Sequence, residues 1–548
     1  MVITQLLERN ARLYGGETAL VEINPSTERD AATTWREASL IEAASPGAPY
    51  RREMSWADFD RRANRFANFL LSRGMQRGTK VAILMMNCLE WLPIYFGILK
   101  AGCIAVPMNY RYSADEIDYC AALSDTSVLV FGPEFTTRVT AVRSELAAHG
   151  VKTFLYVGRD KPDYAEDAMK MSSFCSSSNP PIELDEDDDA AIYFSSGTTG
   201  FPKAILHAHR ALYGSAVTEQ AHHGQTRDDV FLCIPPLYHT GAKMHWFGSL
   251  ISGSKAVLLR GVKPQWILRA VTEEKCTIVW LLVPWAQDIL DAIDAGKVDL
   301  AHCLTDQWRL MHIGAQPVPP SLVKRWLSVF PHQQYDTNYG LSESIGPGCV
   351  HLGVENIHKV GAIGIPGHGW EAKIVADDSL TPVKPGEVGE LAVKGFGVMK
   401  CYYKNPEATD EILKGDWLLT GDVARQDEDG FIYLVDRKKD VIISGGENLY
   451  PVQIEDYIRT CDKVKDVAVI GIPDKRLGEI ACAVIEIKDG MTATVEEMDE
   501  FCLGLPRYKR PRRIILEKVP RNPTGKIEKP VLREKYCHGR LVEEQTSN

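Results

Sequence analysis

Apolar positions in the first third of the 548-residue chain fall in short blocks that alternate between two periods. Residues 80–86, Lys-Val-Ala-Ile-Leu-Met-Met, form a continuous apolar run, which predicts a strand buried on both faces. Residues 90–101 carry helical periodicity and stop at Gly102, a residue type that ends helices by entering the left-handed region. Residues 103–107 resume as a strand, and 128–131 and 154–157 read as two more. Strand–helix–strand at this spacing predicts parallel sheet covered by helices. The stretch 30–49, rich in small and polar residues, predicts a surface loop to which no role is assigned.

Residues 172–189 are rich in Ser, Pro, Asp and Glu and predict a loop. It leads into a short apolar strand at 190–194, a glycine-rich loop at 195–203, and a run from Ala204 that reads as helix. Strand, flexible loop and helix together predict a phosphate cradle, because glycines let backbone N–H groups approach oxygens closely. After Asp436 the texture changes. Residues 467–470, 482–485 and 513–516 read as strands and 495–503 as a helix, which predicts a compact α+β domain of about a hundred residues. The expected division is 1–436, a hinge at 437–439, and 440–548. The fold class is α/β: a large N-terminal region of several subdomains with mixed and parallel sheets, plus a small mobile C-terminal domain.

Composition narrows the function. Apolar residues make up 45% and charged residues 25%, ordinary for a soluble globular protein. The net charge is −11 and no long basic run occurs, which argues against nucleic acid as a partner. The N-terminus lacks the charged-then-apolar layout of a secretory signal, and the longest apolar runs, such as 276–286, fall short of a bilayer span. Cys88, Cys103, Cys233 and Cys482 sit in apolar segments, as buried free thiols of a reducing cytoplasm do. The expectation is a cytoplasmic protein with no transmembrane segment. His207/His209 and His222/His223 lack accompanying Cys pairs or an H-E-x-x-H helix and are expected to be structural or surface residues.

The loop Ser195-Ser196-Gly197-Thr198-Thr199-Gly200-Phe201-Pro202-Lys203 concentrates hydroxyls, glycine amides and one lysine. It departs from a Walker A loop, because Phe201 and Pro202 separate Gly200 from the lysine and Ala204 follows it. By itself it supports phosphate binding and nothing narrower. Further along come Tyr339-Gly340-Leu341-Ser342-Glu343, Thr420-Gly421-Asp422, Asp436-Arg437-Lys438-Lys439-Asp440, Ser444-Gly445-Gly446-Glu447-Asn448 and Pro523-Thr524-Gly525-Lys526. In this order and spacing the motifs resemble the adenylate-forming superfamily of AMP-binding acyl-CoA synthetases, peptide-synthetase adenylation domains and luciferases. The resemblance covers essentially the whole chain and is nearest to the acyl-CoA ligases.

That resemblance implies a two-step reaction. A carboxylate attacks the α-phosphorus of ATP to give an acyl-adenylate and pyrophosphate, and the thiol of coenzyme A then attacks the acyl carbon. It implies that Thr198, Thr199 and Lys203 hold phosphate oxygens, that Ser195, Ser196, Gly197 and Gly200 complete the nucleotide-binding loop, and that Glu343 holds Mg²⁺, with Thr198, Lys203 and Glu343 counted among the catalytic residues. Ser342 stands where the family usually has Thr and keeps the hydroxyl. Gly314, Ala315, Gln316, Asn338, Tyr339 and Gly340 would flank the adenine, Asp422 would accept the ribose hydroxyls, and Arg437 would contact the ribose–phosphate region. Lys526 would be the catalytic lysine and Lys439 the hinge. Ser444, Gly445 and Gly446 would line the pantetheine channel, with Arg510 and Arg512 on the CoA phosphates.

For the acyl pocket the same resemblance singles out His239, Thr240, Trp246, Trp285, Gly340, Ile345 and Gly346. The segment 235–241 carries His239 and apolar neighbours in place of the aspartate that peptide-synthetase domains commonly place there, which argues against an amino acid, and the glycines leave room, so the expected substrate is a compact apolar acid: aromatic, alicyclic or of short to medium chain. Three readings stay open alongside a ligase: a stand-alone enzyme that loads a carrier protein, a luciferase-like oxygenase, and a nucleotide-binding regulatory protein with an inactive site. A homodimer is also open.

Overall fold

Successive residues of a strand face opposite sides of its sheet, and that alternation builds the larger part of the molecule. In Lys80–Leu84, Val81 and Ile83 enter one apolar cluster while Ala82 and Leu84 enter another. In Thr18–Ile23, Leu20 joins the first cluster and Val21 and Ile23 a third. The first cluster therefore lies between two sheets and is filled by helices such as Trp56–Ser72 and Trp91–Lys100. The other faces of the sheets are covered by the helices Ala114–Leu123 and Pro264–Glu274, among others. Each buried Leu, Ile or Val contributes about 1.5–3 kcal/mol over an exposed one, so long runs buried on both faces dominate the stability of this layering.

This is a computed structural model describing residues 1–25, 49–195, 202–314, 318–346, 348–352, 354–376, 380–444, 447–521 and 527–537. Nearly all of the stretch 30–49 lies outside these residues. The chain divides into two units, Met1–Ala372 with Val393–Leu418, and Lys373–Ala392 with Leu419–Asn548.

The first unit holds two sheets among the described residues. One has eight strands, and its expected parallel members are present as Lys80–Leu84, Ile104–Pro107, Thr126–Phe131 and Thr153–Tyr156. Trp91–Lys100 is the expected helix. Gly102 sits at φ +70°, its N–H donating to Leu99 O while that of Cys103 donates to Ile98 O. That pair of bonds is the Schellman ending, which needs the left-handed conformation a glycine adopts without strain.

One expectation fails at the edge of this sheet. Ala204–Ala208 is a strand, not the start of a helix. We label Asp189–Phe194 β1 and Ala204–Ala208 β2; they pair antiparallel, with Phe194 opposite Ala204. Helix α1, His209–His223, begins only afterwards. Ala204 to Ala208 are all buried, and a run buried all round is satisfied by sheet as readily as by helix. The glycine-rich loop therefore closes a hairpin, and the expected strand–loop–helix cradle is corrected to strand–loop–strand.

The second sheet has nine strands. Leu310–Gly314 (β3) and Gln334–Tyr339 (β4) lie side by side and parallel in it, with His312 opposite Asp336. Helix α2, Thr240–Ser252, packs in the shared cluster through Trp246, Phe247 and Leu250.

In the second unit Val464–Asp474 and Gly478–Ile487 form a long antiparallel pair, Arg513–Leu516 adds a parallel strand, and Val495–Cys502 is the expected helix. The hairpin strand Ile442–Ser444 continues the sheet, with Ser444 opposite Gly478. All 13 cysteines of the chain are unpaired. Burial pushes the thiols up, Cys103, Cys233 and Cys349 each to about 12. Among the described residues no helix is long and apolar enough to cross a membrane.

Candidate active site

The ends of the glycine-rich loop are pinned by two hydrogen bonds. The Ser195 N–H donates to Lys203 O at 3.0 Å, and the Lys203 N–H donates to Ser195 Oγ at 3.3 Å. Ser196, Gly197, Thr198, Thr199 and Gly200 lie outside the described residues.

The side chain of Lys203 leaves the hairpin toward Tyr402, its Nζ 4.6 Å from the ring centroid. Tyr402 belongs to the short strand Cys401–Tyr402, which pairs antiparallel with β2. Its phenol donates to Glu343 Oε1 at 2.8 Å, and burial together with the Glu343 charge pushes that phenol up, keeping it a donor. The Glu343 backbone is fixed in turn. Its carbonyl accepts from Met399 N at 2.8 Å, and the neighbouring Ser342 carbonyl accepts from His207 Nε2 at 2.8 Å. A carbonyl only accepts, so the His207 proton sits on Nε2. Burial holds this imidazole neutral, down to about 4. Tyr402 thus joins a cation and a carboxylate drawn from motifs far apart in sequence. Neither Tyr402 nor His207 carries a motif signal that singles it out.

The turn after β4 is tightly built. Ser344 Oγ accepts from Leu341 N at 2.9 Å and donates to Gly346 O at 3.1 Å. Ile345 has φ +39°, a conformation a β-branched residue adopts only under strain, and its carbonyl accepts from Ser215 Oγ at 2.6 Å. A Cβ on Gly397 would stand 2.2 Å from Ser344 O and 2.8 Å from the Trp370 ring. Gly397→Ala is therefore expected to cost about 1–3 kcal/mol. Its thermal midpoint by calorimetry should fall clearly below wild type, and an unchanged midpoint would show the turn to be slack.

Around the expected acyl pocket, Trp246 is fully buried against Phe59 and Phe96, with centroids at 6.0 and 5.8 Å, as a core residue. Trp285 is half-buried against the cluster beneath the nine-stranded sheet. Trp280 is the aromatic that stands beside the site's glycines. A Cβ on Gly241 would lie 2.9 Å from its ring, and one on Gly314 would lie 3.9 Å from its Nε1 and 3.8 Å from Asn338 Oδ1. Trp280 Nε1 and Asn338 Nδ2 are buried with no hydrogen-bond partner among the described residues. Such orphan donors are rare and call for an acceptor. His239 sits beside them, its Nδ1 accepting from Gly241 N at 3.1 Å at the start of α2, where Thr240 is buried. Tyr339 is buried at the end of β4, next to exposed Gly340. Ala315 and Gln316 lie outside the described residues.

The strands Trp417–Gln426 (β5), in the second unit from Leu419 on, and Ile432–Arg437 (β6) pair antiparallel with Asp422 opposite Arg437. Arg437 Nε lies 2.9 Å from Asp422 Oδ1, the carboxylate buried and the guanidinium half-exposed. Gly421, at φ +72°, donates its N–H to Glu390 Oε1 at 2.9 Å. Lys439 lies in the short 3₁₀ turn Lys438–Asp440, and burial pushes its ammonium down. The Arg510 guanidinium is engaged by the Leu505 and Leu503 carbonyls at 2.8 and 2.7 Å, whereas Arg512 is exposed. Gly445, Gly446 and Lys526 lie outside the described residues.

An adenylate-forming enzyme is the class this architecture defines: ATP-bound MatB from Rhodopseudomonas palustris matches it with a TM-score of 0.82 at 25% identity, over 98% of this chain and 99% of that one. The model of the AMP-binding enzyme matches residues 14–403, and that of the AMP-binding enzyme C-terminal domain matches residues 453–526. The chain belongs to the AMP-binding enzyme family, among its acyl-CoA ligases. The long-chain-fatty-acid–CoA ligase FadD13 of Mycobacterium tuberculosis is 31% identical over 488 residues, covering 88% of this chain and 93% of the relative. A feruloyl-CoA synthase of Amycolatopsis is 33% identical over 487 residues, covering 88% and 94%. ATP and coenzyme A are the co-substrates of such an enzyme, with Mg²⁺. The described residues suit a magnesium ion, which takes few protein ligands and prefers carboxylate oxygen: Tyr402 occupies one oxygen of Glu343.

Proposed function

We propose that the enzyme joins a compact, largely apolar carboxylic acid to coenzyme A through an acyl-adenylate. The observation that carries this reading is the pair of orphan donors, Trp280 Nε1 and Asn338 Nδ2, beside Gly241 and Gly314. They offer hydrogen bonds to an acid's oxygens. Gly314 leaves room for a ring or a short chain, Gly241 lets Trp280 approach closely, and the wall next to them is aromatic. No aspartate stands in segment 235–241 to take an amino group, which supports an acid without one.

The roles follow the motifs. The loop 195–203 cradles phosphates, with the Lys203 ammonium drawing off charge as pyrophosphate leaves. Glu343 would hold Mg²⁺, held in place by Tyr402 and by the backbone bonds to Met399 and His207. When bound, the ion neutralises phosphate charge. Asp422 binds the ribose hydroxyls, Arg437 braces it, and Lys526 bridges the attacking carboxylate and the α-phosphate. The nucleotide-dependent steps leave Arg512 as the exposed cation for CoA phosphates, since the Arg510 fork is spent on carbonyls. Unpaired thiols throughout suit a reducing compartment such as the cytoplasm.

The test is pyrophosphate release over linear, alicyclic and aromatic acids, followed by acyl transfer to free CoA. Turnover with ring acids or short to medium chains is expected. Exclusive use of long-chain acids would overturn the substrate reading, and transfer only to a carrier protein would replace CoA as acceptor. We further propose that residues 437–439 hinge the second half-reaction. Lys439→Pro, which locks φ, is expected to slow thioester formation from supplied acyl-AMP more than adenylation. An equal loss in both steps would remove the hinge.

A further inference from the structure

Four histidines and two carboxylates, none of them given a role in the reaction above, converge in the first unit. They come from four elements: Glu219, His222 and His223 from α1, His245 from α2, His312 from β3 and Asp336 from β4. Each of the six side chains is at most 1% exposed. Two acids with no arginine or lysine between them are costly in such a place unless something positive joins them.

We propose that this cluster is a closed divalent-cation site of the zinc class, ligated by His222 Nε2, His223 Nε2, His312 Nδ1 and Asp336 Oδ2. The donor atoms of these four residues lie within 4.8 Å of one another. His223 Nε2 is 3.0 Å from His312 Nδ1 and 3.6 Å from Asp336 Oδ2, and His312 Nδ1 is 3.3 Å from that oxygen. Four ligands about 2.0–2.1 Å from a zinc ion stand about 3.3 Å apart at the corners of a tetrahedron. The observed triangle has the dimensions of one face. His222 Nε2 touches Asp336 Oδ2 yet makes no hydrogen bond, so the two atoms converge without the geometry of a donor and an acceptor.

The surroundings favour a cation. His222 and His223 end α1 just before Gly224, where the helix dipole is negative. Full burial favours the neutral, ligating form of the imidazoles. Glu219 Oε1 stands 3.3 Å from His223 Nε2 as a further oxygen donor and also contacts His245 Nδ1. Two carboxylates would balance a doubly charged ion. A nitrogen-rich set of this kind selects zinc and its neighbours over magnesium or calcium. His245 packs on Trp280 with centroids 4.5 Å apart. The ion would therefore tie α1, β3 and β4 together two residues before Gly314 and Asn338 on those strands, with His245 of α2 beside them against Glu219.

The experiment uses the full-length untagged protein, so that no added histidines bind metal. After gel filtration in metal-free buffer, elemental analysis is expected to find about one zinc or related transition-metal ion per chain. Protein from cells grown with Co²⁺ in place of Zn²⁺ is expected to show the intense visible bands of four-coordinate cobalt. Asp336→Asn and His312→Gln should each reduce the metal content at least tenfold. Metal-free native protein that stays colourless after growth in Co²⁺ would overturn the proposal and leave a hydrogen-bonded histidine network. Full metal content in both variants would overturn the ligand set. The wild-type measurements decide the question even where a variant fails to fold.

Discussion

Lys526→Ala is expected to lower acid-dependent pyrophosphate release about 100- to 1,000-fold, the usual effect of removing one positioned charge from a developing anion. Thioester formation from supplied acyl-AMP should stay near wild type. In the first half-reaction a carboxylate approaches a phosphate, and both are negative. An ammonium between them stabilises the transition state more than either ground state. In the second half-reaction a thiol attacks an acyl carbon whose leaving group is already formed, and no such repulsion has to be overcome. Stopped-flow or quenched assays of the separate steps read the ratio directly. Equal losses in both would remove Lys526 from its proposed role and make it a general structural residue.

The second large effect is expected at Asp422. Two hydrogen bonds from ribose hydroxyls to an ionised carboxylate contribute about 1.5–3 kcal/mol each. Asp422→Ala should therefore reduce kcat/KM for ATP by 100-fold or more, since about 1.4 kcal/mol is tenfold. Folding should suffer much less. The partner left behind, Arg437, is half-exposed and can turn to water. Calorimetry on the same variant separates the two effects: a collapsed thermal transition with proportionate loss for every substrate would assign Asp422 to stability. Arg437→Ala should be milder than Asp422→Ala, because Arg437 orients the carboxylate proposed to make the contact.

The parallel strands could be read from the chain because burial on both faces writes itself as an unbroken apolar run. Lys80–Leu84 and Thr126–Phe131 are the plain cases. Ala204–Ala208 was misread for the same reason. A five-residue run buried all round carries no period, and only its pairing with Asp189–Phe194 decides for a strand. The candidate site could be proposed from the chain where one motif carries several polar residues. It was illegible where distant residues meet. Tyr402 reaches Glu343 across 59 positions, and nothing in the residues around it marks the contact. Trp246 and Trp280 look alike as letters, and only the packing separates them: Trp246 lies on a helix against Phe59 and Phe96, and Trp280 on a strand beside Gly241 and Gly314. The histidine pair 222–223 gave no sign of His312 or Asp336, which the parallel register of two strands brings to it.

The buried thiols have a consequence for how the enzyme ends its life. While the core is closed, Cys103, Cys233 and Cys349 are held far from the thiolate form and react with nothing. Opening the core returns them to ordinary acidity and exposes many nucleophiles at once. In air a chain held open by heat gains time to cross-link, so heat inactivation is expected to acquire an irreversible step. A reductant is expected to remove that step. The packing of the two sheets thus sets the shelf life of the enzyme as well as its shape.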